Sequence, residues 1–274
     1  MIILRSKQHL RELMVALSRS LPHSAETYGW LYYGLDGMSG PMDVYVDSWP
    51  NFQAVIVQPT YQAGEKLSLP KYSTFASNPS SFANLWNVVE WKEPFMLEGV
   101  DADFQECIND MAAKKDVRVS RQSDYYYMAT TNEPDTLRIR KSELDLEMST
   151  LNTSHVELVW NSWTHRGEPD SLSLIQACIS KGLPNSSVLD GSGNPVAWLL
   201  THLNGSIAFG YVKPDYRRKG LLHKCMAALL DKCHGDAPIY GYVHEENTAS
   251  LQFATEIGFS MLYGRRYVWV TIEP

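Results

Sequence analysis

No stretch of this sequence approaches the ~20 uninterrupted apolar residues of a membrane-spanning helix. None of its four cysteines stands in a C-x-x-C pair. The first absence argues against a helical membrane span. The second, with Cys107, Cys178, Cys225 and Cys233 each inside an apolar or helical pattern, favours free thiols in a reducing compartment over disulfides, and no metal site is expected. An excess of positive charge is missing as well. A formal charge of −7 weighs against a general nucleic-acid binder. No short-period repeat is visible.

What is present suits a water-facing protein with ordinary cores, at 44% hydrophobic residues and a mean hydropathy of −0.26. A chain of 274 residues is comfortable as two domains of about 130 each. The best linker is the polar, aperiodic TTNEPDTLRIRKSE, Thr130 to Glu143. It divides the chain into domains 1–135 and 143–274.

The first 21 residues are amphipathic, rich in Arg and poor in acid, and read as a first helix or a mitochondrial targeting segment. Strands are expected at Thr27–Tyr33, Asp43–Asp47 and Ala54–Val57, with a Pro/Ser-rich loop from Tyr61 to Ser81. Helices follow at Phe82–Val89 and Asp101–Lys114. Val117–Met128 reads as a strand whose run Tyr125-Tyr126-Tyr127 suits a half-buried face. Beyond the linker an α/β alternation leads to Ile207–Val212, and two closing strands, Met261–Tyr263 and Tyr267–Ile272, flank a turn at Gly264-Arg265.

The second half is organised around Ile207 to Ala228, IAFGYVKPDYRRKGLLHKCMAA. A β-branched and aromatic run meets a basic turn, Arg217-Arg218-Lys219-Gly220, which opens a segment with helical spacing at Leu221, Leu222, Cys225 and Leu229. The first amides of a helix have no internal partner and sit at the positive end of its dipole, so such a turn holds phosphate well. Downstream, Asn247-Thr-Ala-Ser250 is followed by Phe253 and Gly258-Phe259. Read for structure alone, Asn247 is a helix N-cap and Gly258 a helix terminator.

These residues resemble the Gcn5-related N-acetyltransferase (GNAT) superfamily, whose pyrophosphate loop reads Arg/Gln-x-x-Gly-x-Gly/Ala. Arg217 and Gly220 match it, while Leu222 replaces a small residue. LPHSAETYG, VDSWPNF, GNPVAW and PDYRRKG resemble the glycine N-acyltransferase family within it, across nearly the whole chain. The resemblance implies an α/β (α+β) fold of two tandem GNAT-like domains, mixed sheets flanked by helices, with acyl-CoA motifs only in the second. It implies acyl transfer from acetyl-CoA or another acyl-CoA, a co-substrate rather than a resident cofactor, to the amine of glycine or another small amino acid. Arg217, Arg218, Lys219, Gly220, Leu221 and Leu222 would take the pyrophosphate, and Asn247 and Ser250 the pantetheine or ribose end. A backbone amide at Tyr211 or Val212 would face the oxyanion.

The proton-transfer groups depart from that pattern. The superfamily often has a carboxylate fourteen positions before the loop glycine, where this chain has Ser206. Alternation would set Ser206, Ala208 and Gly210 on one face. Tyr242, where relatives often have His, shares a strand face with Tyr240 and His244 and is the candidate relay. Phe253 replaces a usual tyrosine, and Glu245 and Glu246 read as solvated acids. Trp163-Thr-His-Arg166-Gly167-Glu168 matches a family stretch, and Arg166 is a candidate for the acceptor carboxylate. Other acceptors, a protein or polyamine amine, stay open, as does an acyl-CoA-binding protein with little turnover. The remaining expectations are a monomer in the mitochondrion or cytoplasm that binds no nucleic acid.

Overall fold

The structure, a computed structural model, describes all residues except 61–68, 87, 88, 90, 131–136, 167–169 and 234–236; the side chains of 121–123, 263 and 264 are also outside the description. Most of the expected 61–81 loop, the middle of the expected linker and the pair Gly167-Glu168 therefore lie outside the described residues. The chain forms two compact units. Unit 1 comprises 1–127, 243–248 and 261–274; unit 2 comprises 128–242 and 249–260.

Unit 1 opens with β1 (Ile2–Leu4), α1 (Lys7–Ser18) and α2 (Ala25–Leu35). α1 starts where the Ser6 hydroxyl accepts the His9 amide at 3.1 Å, a side-chain N-cap. β2 (Met42–Val46), β3 (Ala54–Pro59) and β4 (Lys71–Ala76) form an antiparallel run, α3 (Pro79–Trp86) follows, and β5 (Phe95–Asp101) lies parallel to β4. α4 (Gln105–Lys115) and β6 (Arg118–Ala129) complete the amino-terminal part. The sheet order is β1-β2-β3-β4-β5-β12-β6-β11, with β11 at Tyr240–His244 and β12 at Ser260–Glu273. Its core is aromatic: Trp86 lies 5.8 Å from Phe95 with the rings nearly parallel, and the Trp91 indole donates to the Trp86 carbonyl at 3.0 Å. Val268, Val270 and Ile272 from the carboxyl-terminal strand fill the same core.

Three expectations are corrected here. Thr27–Tyr33 is helical, within α2: seven consecutive residues, Ala25 to Leu31, are buried, so the sequence shows no polar stripe and its aromatics mimic a strand. Lys71–Ala76 is a strand rather than loop; its polar Ser73 is buried within hydrogen-bond distance of Thr27 Oγ1 at 3.4 Å. The two closing strands are one, β12, which passes through Gly264 without turning and pairs with β5 from Tyr267↔Asp101 to Ile272↔Phe95. β5 itself had no sequence expectation because Glu98 and Gly99 interrupt its apolar run. Glu98 is buried against Lys71 Nζ at 2.7 Å, which supplies the partner a buried carboxylate requires.

Unit 2 holds a four-stranded antiparallel sheet in the order β10-β9-β8-β7: β7 (Met148–Ser149), β8 (Asn185–Leu189), β9 (Pro195–Thr201) and β10 (Ile207–Val212). Its helices are α5 (Val156–Ser162), α6 (Ser171–Ser180), α7 (Leu221–Leu230) and α8 (Thr248–Glu256), the last beginning at the unit 1 boundary. α7 packs on β8, where Ser186 Oγ donates to the Cys225 carbonyl at 2.8 Å. The described end of the expected linker is structured within this unit: the Arg138 amide donates to the Ile257 carbonyl at 2.9 Å, and the Glu143 amide to the Lys219 carbonyl at 3.0 Å.

Candidate functional site

The basic turn sits at the free edge of unit 2's sheet. Among the described residues β10 pairs only with β9. The strand is bulged: the register to β9 shifts between Ala208 and Tyr211, and Phe209 takes a left-handed φ of 54°. A bulky residue held there is strained, and such strain gathers at functional positions. Phe209 is held edge-on by Trp163 at 5.0 Å and stacked by His202 at 6.2 Å. The bulge also breaks the alternation expected for Ser206, Ala208 and Gly210, and Ser206 lies in the turn before the strand.

At the end of β10, Tyr211 stacks on the fully buried Trp198 at 5.1 Å, and the Arg217 guanidinium lies 5.9 Å from the Tyr211 ring centre. Arg217 Nε donates to the Val212 carbonyl at 3.1 Å, which leaves the ends of its fork for a ligand. Arg217 and Arg218 are exposed. Lys219 Nζ donates to the Asp215 carbonyl at 2.9 Å, folding the turn over itself.

Arg218 and Gly220 both have positive φ, 65° and 76°. Left-handed residues in a turn aim successive amides into one concavity that suits an anion. α7 starts at Leu221, and its first helical bond among the described residues runs from the Lys224 amide to the Gly220 carbonyl at 3.1 Å. The amides of Leu221, Leu222 and His223 thus have no partner within the helix. No acidic residue stands in that first turn to compensate the dipole. A β-carbon on Gly220 would come within 3.1 Å of Ser142 Cα and 3.2 Å of the Lys141 carbonyl oxygen. Behind the turn, His223 is buried, accepts the Arg140 amide on Nδ1 at 3.3 Å and meets the Phe253 ring edge-on at 5.2 Å. Burial, then the nearby Arg140, holds its pKa below the usual histidine value.

Before β10, Ser206 is buried and its hydroxyl donates to Asn204 Oδ1 at 2.7 Å. The Asn204 carbonyl accepts from the buried Tyr240 hydroxyl at 2.8 Å, and Tyr240 packs edge-on against Tyr242 at 5.7 Å. Tyr242 is half-buried. In unit 1, His244 is packed edge-on by Tyr125 at 5.3 Å, and Glu245 pairs with Arg266 at 3.3 Å. Asn247, also in unit 1, is exposed, its amide donating to the His244 carbonyl at 2.9 Å; Ser250 is half-buried in α8 of unit 2. Arg166 is exposed, and its Nη1 donates to the Asn161 carbonyl at 3.0 Å.

Burial pushes the Cys225 thiol up to about 12, which keeps it protonated at neutral pH and removes it as a nucleophile. All four cysteines are free thiols. Sequence reasoning missed Phe209, whose left-handed backbone has no composition signature. It also missed the roles of Asn204 and Tyr240; Asn204-Gly205 reads as a turn but not as a link to another strand.

The described helices include none long and apolar enough to cross a membrane. The mixed α/β fold, in which an edge strand runs through a basic turn into a helix, has GNAT structures among its neighbours. A Drosophila protein matches the fold with a TM-score of 0.78 at 17% identity, covering 98% of this chain and 97% of that one. A tandem GNAT protein from the clavulanic acid biosynthesis pathway matches with a TM-score of 0.53 at 12% identity, covering 99% and 97%. The chain belongs to the aralkyl acyl-CoA:amino acid N-acyltransferase family, whose amino-terminal profile matches residues 1–183 and whose carboxyl-terminal profile matches 186–272. It is 31% identical to a mouse glycine N-acyltransferase-like protein over 90% of this chain and 91% of that one, and 28% identical to bovine glycine N-acyltransferase with the same coverage.

Proposed function

We propose that the chain transfers an acyl group from acyl-CoA to the amine of glycine or another small amino acid. The observation that carries this is the turn from Arg217 to Leu222: three cations, two left-handed residues and a helix start without an acid meet at one place. Arg217, Arg218 and Lys219, with the amides from Gly220 to Leu222, take the pyrophosphate. Asn247 and Ser250 serve the pantetheine or ribose end. The backbone of β10 at Tyr211 and Val212 supplies an amide to the thioester oxygen as it gains charge.

The amine attacks the thioester carbon, the carbon–sulfur bond breaks, and coenzyme A leaves as a thiolate that takes up a proton. One proton must leave the ammonium before attack. Tyr242 relays it through water. Ser206 is the second candidate, with its own proton committed to Asn204 Oδ1. Arg166 stands by for the acceptor carboxylate. The chain works as a monomer in a reducing compartment, mitochondrion or cytoplasm, which four free thiols suit.

Thiol release with acetyl-, benzoyl- and long-chain acyl-CoA against a panel of amines tests the reading. Release that depends on glycine or another small amino acid supports it. Release only with polyamine or protein amines contradicts it. Tight CoA binding without amine-dependent release favours the second reading, an acyl-CoA-binding protein with little turnover, which Ser206 and Phe253 at the expected proton-transfer positions motivate.

A further inference from the structure

The described end of the expected linker runs against the basic turn, inside unit 2. The Arg140 amide donates to His223 Nδ1 at 3.3 Å, and Lys224 Nζ donates to the Leu146 carbonyl. Between these two ties, Ser142 and Glu143 hold the peptide that joins Lys219 to Gly220. The two segments lie so close that a β-carbon on Gly220 would stand 3.1 Å from Ser142 Cα.

The hold on that peptide fixes a direction. The Lys219 carbonyl accepts two donors, the Glu143 amide at 3.0 Å and the Ser142 hydroxyl at 3.1 Å. The half-buried Ser142 hydroxyl also lies 3.0 Å from the Leu144 carbonyl and accepts the Leu144 amide at 3.1 Å, so 142–144 closes on itself around this one oxygen. In a planar trans peptide the C=O and the N–H point to opposite sides. With its carbonyl turned to 142–143, the peptide turns the Gly220 amide away from the linker. Among the described residues that amide has no backbone acceptor.

The backbone on either side needs such an anchor. Arg218 and Gly220 are both left-handed, and a side-chain-bearing residue stays in that region only where its surroundings over-determine it. Two donors on the carbonyl between them supply that constraint.

We propose that Ser142 is a positioning residue for the diphosphate of acyl-CoA: with the Glu143 amide it clamps the Lys219 carbonyl and aims the Gly220 amide at the phosphate oxygens. The proposal rests on the acyltransferase reading and deepens it. The Gly220 amide joins those of Leu221 and Leu222 in facing the ligand. The segment 140–146 is then part of the co-substrate site, not a spacer between domains.

Ser142→Ala removes one donor from the Lys219 carbonyl and leaves the Leu144 amide without this acceptor, so the peptide can rock. Dissociation constants for coenzyme A are measured by calorimetry, together with melting temperatures, on wild type, Ser142→Ala, Ser142→Thr and Ser186→Ala. The last is the control: it removes a hydroxyl from the Cys225 carbonyl of the same helix, more than one turn beyond Gly220. We expect Ser142→Ala to bind coenzyme A roughly threefold or more weakly than wild type, with Ser142→Thr and Ser186→Ala within about twofold. Lost stability alone would lower the melting temperature of both alanine variants without this split in affinity. Wild-type affinity in Ser142→Ala, or an equal loss in it and in either other variant, overturns the clamp and leaves the acyltransferase reading standing. No binding of coenzyme A by wild type overturns both. If Ser142→Ala does not fold, Ser142→Cys, near serine in size but a weak donor, decides by the same comparison.

Discussion

Arg217 holds the carbonyl oxygen of Val212 at 3.1 Å through its Nε, tying the first cation of the basic turn to the last residue of the bulged edge strand. One side chain thereby ties the end of β10 to the basic turn before α7. The guanidinium ends remain available for a bidentate contact, which a lysine could not supply in the same geometry.

Gly220 is required at its position. Its φ of 76° is a left-handed conformation, and the chain at Lys141 and Ser142 closes on the site of an absent β-carbon. Gly220→Ala is expected to cost about 1–2 kcal/mol from backbone strain alone, to lower the melting temperature, and to weaken CoA binding by tilting the amides of Leu221 and Leu222. A variant with wild-type melting and wild-type affinity contradicts this.

Acid should destabilise the protein through the buried imidazole of His223. Burial first, then Arg140, lowers the His223 pKa from its ordinary 6.5, with Glu256 opposing. The unfolded chain therefore binds this proton at higher pH than the folded chain. The stability contributed by the neutral ring is complete above pH 6.5 and is lost as pH falls below that value toward the folded pKa. His23, lowered by burial and then by Arg265, acts in the same direction. Urea midpoints measured between about pH 7.5 and about pH 5.5 should fall, with a shallower fall in His223→Gln. A midpoint that rises on acidification contradicts the assignment.

The Lys71–Glu98 pair sits almost out of water, with side chains 13% and 6% exposed. Lys71→Met leaves a buried carboxylate without its cation and is expected to cost about 3–5 kcal/mol. Adding Glu98→Leu should recover most of that loss. A single variant as stable as wild type in chemical denaturation would show that the pair is not needed.

Cys225 is packed, not reactive. Cys225→Ala should lose about 0.5–3 kcal/mol of stability while keeping amine-dependent thiol release, and iodoacetamide should not inhibit the folded enzyme. Inactivation in step with alkylation of Cys225 would contradict this.

Much of unit 2 was legible because its strands are short and punctuated by Gly and Pro; Ile207–Val212 is a strand as read, and the basic turn leads into a helix as read. Unit 1 was harder for physical reasons. α2 is buried on nearly every side, so its period was hidden, and β5 carries a charge whose partner, Lys71, is remote in sequence. The return of 261–274 to unit 1 is a long-range pairing of β12 with β5, and nothing local announces it. Around the site, the chain's cations and glycine were readable from spacing. The Phe209 bulge and the Tyr240–Asn204 bond were not, because both depend on backbone geometry set by other strands.

The central claim is that the helix start at Leu221 and the arginines before it grip a diphosphate. Calorimetric titration of coenzyme A into wild type and into the double variant Arg217→Ala/Arg218→Ala tests it most directly. Charged contacts contribute about 1.5–3 kcal/mol each, so removing both should weaken affinity by roughly a hundredfold or more, with melting temperature little changed because both side chains are exposed. Equal affinity in the two proteins, or no binding heat from wild type, would contradict the account.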